Sequence, residues 1–194
     1  AQEKILNSPL DASGSTQYSV RKWEKLGNPR IPVQPDRGND LKRGSTVFQG
    51  ASQINLDAKG RLAVPTRVRD PLTQGGTVPV VLTAHPDKCL LLYPAPAWEP
   101  VRARVMSFPS LDAAFNPWKR LLVGFAEELA LDGAGRLLIS PELRSFAGID
   151  KRVMFIGQGS YYEIWDLERW QQQLDRLTAG GSPVLPPGME NFSL

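Results

Sequence analysis

The sequence predicts an α+β, β-rich fold made of two tandem copies of one module, related by a pseudo-twofold repeat. Three observations carry that prediction. Residues 54–69, Ile-Asn-Leu-Asp-Ala-Lys-Gly-Arg-Leu-Ala-Val-Pro-Thr-Arg-Val-Arg, return 75 positions later at 129–144 as Leu-Ala-Leu-Asp-Gly-Ala-Gly-Arg-Leu-Leu-Ile-Ser-Pro-Glu-Leu-Arg. Apolar residues alternate in both copies, at Ile54, Leu56, Leu62 and Val64 and at Leu129, Leu131, Leu137 and Ile139, which is the period of half-buried strands. Each copy then continues into a second strand-turn-strand unit, Val80–Tyr93 and Val153–Trp165, with Val81 meeting Val153 and Tyr93 meeting Trp165, now at an offset of 72. A single Asp-x-x-x-Arg means nothing. Two of them, each with Gly before the Arg and the same apolar frame, mark a duplicated module.

Residues 1–46 combine Gly14, Gly27, Gly38 and Gly44 with Pro9, Pro29, Pro32 and Pro35 and show little periodicity, so they are expected to be disordered. The two modules are expected at 51–98 and 127–170, with a helical linker at 99–126. In each, Asp57 or Asp132 can bond to the backbone of its own turn, and Gly60 or Gly135 can take a positive φ without a Cβ clash. The period changes after each second strand. Pro65-Thr66-Arg67 and Ser140-Pro141-Glu142 read as helix starts, with Ser140 as a cap. Turns are expected at His85 to Lys88 and at Gly157 to Ser160. Trp98 and Trp170 stand early in the helices that follow.

In the linker, Trp98, Val101, Val105 and Met106 have helical spacing. A second helix is expected over 111–125, with Phe115, Trp118 and Leu122 along one stripe and Pro117 as a kink or a restart. Leu167, Trp170, Leu174 and Leu177 line an amphipathic helix capped by Asp166 and stopped at Gly180-Gly181. Residues 171–194 hold its end and a loose tail with Pro183, Pro186 and Pro187.

Composition narrows the function. The chain is 41% hydrophobic, enough for a core, but no apolar run approaches the ~20 residues that span a bilayer. No charged-then-apolar segment opens it. The single cysteine, Cys89, falls in a strand pattern, is expected to be buried, and fits a reducing compartment. The lone histidine, His85, is expected to be a solvent-exposed turn residue, and a Cys89/His85 dyad lacks an orienting third group. There is no metal-ligand spacing and no phosphate-binding glycine loop, so no cofactor is expected. The net charge of +3 resides in residues 1–46, which hold eight Lys/Arg against five Asp/Glu; the body from 47 onward has fifteen of each. Any polyanion contact must therefore rest on local clustering.

The densest cluster is Lys59, Arg61, Arg67 and Arg69, within eleven residues. In the second copy Ala134 stands for Lys59, while Arg136 and Arg144 remain. Two readings stand side by side. Asp57 with Arg61 can be an ion pair closing a turn on a solvated face. The same cations can contact phosphates or base edges.

Phe48-Gln49-Gly50, Asn55 to Pro65 and the second Asp132-x-x-Gly135-Arg136 closely resemble the MraZ family, over about Val47 to Leu177. The resemblance implies two swapped-hairpin-like half-barrel modules of the SpoVT-AbrB type. It implies a transcriptional regulator, usually a repressor, of the bacterial division and cell wall gene cluster. It further implies closed homo-oligomeric rings that bind direct repeats in double-stranded DNA of the family's own promoter, in the cytoplasm and in association with the nucleoid. The family's DNA-contacting turn falls on Lys59 and Arg61 and, through the repeat, on Arg136. Ala134 departs from the basic pattern. Family chains usually begin at the equivalent of Val47, so Val47 is expected to be the translation start and residues 1–46 read-through or an extension. An antitoxin-like module that binds a protein partner is the rival reading.

Overall fold

The computed structural model describes residues 47–109 and 114–179. The expectations for residues 1–46, for 111–113 at the start of the second linker helix, and for 180–194 lie outside them.

The first repeat runs β1 (Ala51–Asn55), β2 (Arg61–Ala63), α1 (Thr66–Thr73), β3 (Val80–Ala84), β4 (Leu90–Pro94) and α2 (Ala95–Met106). After α3 (Asn116–Leu122), the second runs β5 (Glu127–Leu129), β6 (Arg136–Leu138), α4 (Pro141–Ala147), β7 (Arg152–Gly157), β8 (Tyr162–Asp166) and α5 (Leu167–Thr178). Helix starts follow local chemistry. Ser140 Oγ accepts from the Leu143 N–H, and Asp166 Oδ1 accepts from the N–H groups of Glu168 and Arg169, so both side chains cap orphan donors. Pro65 precedes α1 without a side-chain cap.

The repeats exchange strands. One antiparallel sheet has the order β1-β7-β8-β4-β3-β5, and β2 with β6 forms a separate two-stranded ribbon. β1 of the first repeat pairs with β7 of the second, Ile54 opposite Val153. β5 of the second pairs with β3 of the first, Leu129 opposite Val80. The pseudo-twofold relation is visible in the registers. Equivalent residues face each other at Leu62↔Leu137 in the ribbon and at Leu91↔Glu163 in the middle of the sheet.

Alternation along these strands fills two cores. Leu82, Leu90, Leu92, Phe155 and Ile164 on one sheet face pack with Leu62, Val64, Leu72, Leu137, Ile139 and Leu143 of the ribbon and of α1 and α4. Val81, Leu91, Tyr93 and Trp165 on the other face pack with Trp98 of α2, with Trp170 of α5 at its edge. Cys89 is buried there, and burial pushes its thiol up well above the ordinary range. The Trp165 and Trp170 rings lie 5.9 Å apart, folding α5 back on the sheet.

The linker differs from the expected pair of stripes. α3 covers only Asn116–Leu122: Pro117 stands in its first turn, and the helix is over before Gly124. Its end is tied to β3 by the buried Thr83, whose hydroxyl donates to the Leu122 carbonyl at 2.8 Å. In α2, Trp98 and Val105 are buried, but Met106 is exposed, one position off the buried stripe.

Candidate nucleic-acid interface

Each motif turn is closed by its aspartate. Asp57 Oδ1 accepts from the N–H groups of Lys59 at 2.9 Å and Arg61 at 3.0 Å, and Oδ2 accepts from Arg61 Nε at 2.6 Å. Asp132 repeats the arrangement with Ala134 and Arg136 N–H, both at 2.9 Å, and Arg136 Nε at 2.8 Å. The backbone bond to each aspartate from its arginine is the largest influence holding both carboxyls below their usual range, and the arginine side-chain bond adds to it. Gly60 and Gly135 sit at φ +78° and +74°, the left-handed region open to glycine.

The ribbon places these turns together. Arg61 is opposite Leu138, Leu62 opposite Leu137, and Ala63 opposite Arg136. Val64 N–H donates to Gly135 O, and Ile139 N–H to Gly60 O, both at 3.1 Å. These bonds flank the Arg61–Leu138 and Ala63–Arg136 pairs. Both pairs are therefore of the non-hydrogen-bonded kind, whose side chains stand closest. Leu62 and Leu137 point into the core, so Arg61, Ala63, Arg136 and Leu138 share the outward face. Arg61 also approaches the other repeat's carboxylate, with Nη1 4.0 Å from Asp132 Oδ2. Lys59 is exposed at the tip of its turn.

The other arginines of the cluster go elsewhere. Arg144 of α4 lies over Gly60, where an added Cβ would stand 2.8 Å from its Cζ. Arg69 of α1 lies over Gly135 in the same way, too close for any Cβ, and its Nε donates to Val64 O at 2.8 Å. Each repeat thus holds down the turn of the other. The Arg144 Nε is buried and has no hydrogen-bond partner among the described residues. Arg67 is exposed but turns toward the opening of β1, donating from Nη2 to Ser52 Oγ at 2.8 Å. The structure therefore brings Lys59, Arg61 and Arg136 to one crest, with Asp57, Gly60, Asp132 and Gly135 shaping it. It sets Arg69 and Arg144 against the turn backbones and Arg67 apart. Helical position alone gives no sign that Arg69 and Arg144 reach across to the other repeat. Leu138 was not singled out in the sequence, although the alternation at Leu137 and Ile139 already places it on the outward face, where it is exposed beside Arg61.

Elsewhere the His85 side chain is half-buried, and its Nδ1 accepts from the Asp87 N–H at 3.3 Å. Among the described residues no cluster of His, Cys, Asp or Glu is arranged to hold a metal ion, and no helix is long and apolar enough to cross a membrane.

Residues 47–119 and 122–182 match the family model described as "MraZ protein, putative antitoxin-like". The chain is 53% identical over 148 residues to the transcriptional regulator MraZ of Methylobacillus flagellatus, covering 76% of this chain and 100% of that protein. It is 51% identical over 148 residues to the protein of the same name from Azoarcus sp., and 49% to that from Aromatoleum aromaticum, with the same coverage. Matched in both halves by the family model and along the full length of these relatives, the chain belongs to the MraZ family.

Proposed function

We propose that the chain is a sequence-specific DNA-binding transcriptional regulator, and that the β2–β6 ribbon with its two turns is the surface that meets DNA. One observation carries this reading: the ribbon's outward face presents Arg61 and Arg136 from two different repeats, each pre-set by its aspartate. A two-stranded ribbon fits the major groove, about 12 Å wide. Diagonal neighbours across two strands lie about 7–8 Å apart. Two arginines so placed suit two nearby guanine edges. Lys59 contacts a phosphate, and Arg69 and Arg144 hold the turns without touching DNA.

One crest neutralises few phosphates, so its grip is weak and salt-sensitive. Closed homo-oligomeric rings answer this, since linked sites gain ~10²–10⁴-fold in avidity. Direct repeats in the chain's own promoter, ahead of division and cell wall genes, suit such a rotational array. The reading extends to repression, in the cytoplasm at the nucleoid. Its support is the family membership and the name the relatives carry.

The test is a gel-shift titration with DNA from upstream of the chain's own gene, at several salt concentrations, with assembly mass measured alongside. Wild type binds this DNA over a scrambled duplex, and Arg61→Ala assembles normally but loses the preference. Retention of the operator by a correctly assembled Arg61→Ala protein refutes the crest as the reader. The family description favours a second reading, an antitoxin-like module for a protein partner, and a wild type that binds its own upstream DNA no better than a scrambled duplex is the outcome that turns to it.

A further inference from the structure

The pseudo-twofold ribbon is not symmetric in chemistry. Its two outward cross-strand pairs are equivalent by the repeat, yet Arg61 faces Leu138 where Arg136 faces Ala63. The Arg61–Leu138 pair lies beside the first turn, since Ile139 N–H bonds Gly60 O. That same turn carries exposed Lys59, where the second turn has Ala134. Both additions therefore fall at one end: Lys59, Arg61 and Leu138 at the first turn, Ala134, Arg136 and Ala63 at the second.

Leu138 is 53% exposed, whereas the side chain of its neighbour Arg61 is only 28% exposed. It packs into neither core, although Leu137 and Ile139 on either side of it are fully buried. The fold does not need a large apolar group there, because Ala63 fills the equivalent place. An exposed leucine beside a groove-facing arginine has one partner in the major groove, the C5-methyl of thymine, which is the only apolar group displayed there.

We infer that Leu138 is a specificity-determining residue that contacts the C5-methyl of a thymine neighbouring the base read by Arg61. This rests on the reading of the ribbon as the DNA-contacting surface. It gives the crest a direction, since one end reads an arginine-contacted base together with a methyl and the other end an arginine-contacted base alone. A reader with direction distinguishes one orientation of a repeat from its inverse.

The probe is a fluorescent duplex of the chain's upstream DNA in which each thymine in turn is replaced by uracil, removing only the methyl. The full chain is titrated by anisotropy as wild type, Leu138→Ala and Arg61→Ala, with sedimentation to follow assembly. Wild type weakens about fourfold at one thymine position per bound repeat, the scale of one buried methyl. Leu138→Ala keeps its assembly and binds the thymine and uracil duplexes alike. Specific, Arg61-dependent binding with no uracil-sensitive position overturns the assignment and leaves the DNA-binding reading standing. Uracil sensitivity that persists in Leu138→Ala overturns it too. A changed assembly mass in Leu138→Ala makes the residue a subunit contact and also overturns it. Wild type that ignores its own upstream DNA removes both readings.

Discussion

Arg144 of the second repeat lies across Gly60 of the first, so near that one added carbon at Gly60 would stand 2.8 Å from its Cζ. The relation is reciprocal through Arg69 and Gly135. The glycines serve two ends at once, a positive φ and a bare surface on which a guanidinium can rest. Gly60→Ala is therefore expected to cost about 2–3 kcal/mol, left-handed strain plus overpacking. In an Arg144→Ala background the cost falls to the strain alone, about 1–2 kcal/mol. Urea denaturation of the four proteins of this double-mutant cycle checks it; additive costs refute the clamp.

Lys59 at its exposed tip predicts a change in salt dependence rather than in sequence preference. Lys59→Ala lowers the slope of log affinity on log salt by about 0.9 for each crest engaged, one phosphate apiece, and weakens all duplexes alike. Ala134→Lys raises the slope by the same step. Anisotropy titrations over a series of salt concentrations measure both.

Leu62 and Leu137 face each other on the pseudo-twofold axis and are fully buried. Leu62→Ala or Leu137→Ala opens a cavity beneath the crest and costs about 2–5 kcal/mol. The urea midpoint drops with the slope unchanged. At temperatures where the variant remains folded, Arg61-dependent binding remains, because neither leucine reaches the outward face.

The depressed carboxyls of Asp57 and Asp132 give stability a defined acid limb. A folded pKa below the unfolded one contributes stability that is present above the unfolded value, about 3.9, and is lost as pH falls through the folded value. Denaturation midpoints for wild type are thus expected to hold above about pH 5 and to decline below about pH 4. Asp57→Asn with Asp132→Asn lowers the plateau and flattens that decline. A decline as steep as that of wild type assigns the acid limb to other groups.

Much of this was legible in the chain because the duplication prints each element twice. Asp57 and Asp132 announced their turns, Ser140 and Asp166 their helices, and the alternation at Leu62–Val64 and Leu137–Ile139 the ribbon strands. Pairing was not legible. Alternation tells which face of β1 is buried but not that its neighbour is β7, about a hundred residues on. The destinations of Arg69 and Arg144 were hidden for the same reason, since each lies on a glycine of the other repeat. Pro117 and Gly124 carried the shortness of α3, yet the stripe of Phe115, Trp118 and Leu122 suggested a longer helix. The alternation at Leu137 and Ile139 already set Leu138 on the outward face, but it did not tell that this face also carries Arg61, since the pairing of β6 with β2 was hidden.

The exchange of β1 and β5 between repeats has a consequence during synthesis. A growing polypeptide displays β1 without its partner until β7 leaves the ribosome, a wait on the order of 5–20 s at about 5–20 residues per second. Through that interval the first half stays unfinished, its strand edges open to any chain nearby. Two ribosomes following one another on one message supply such a chain, and a β1 captured by the β7 of the chain ahead ties two products together before the later one is complete.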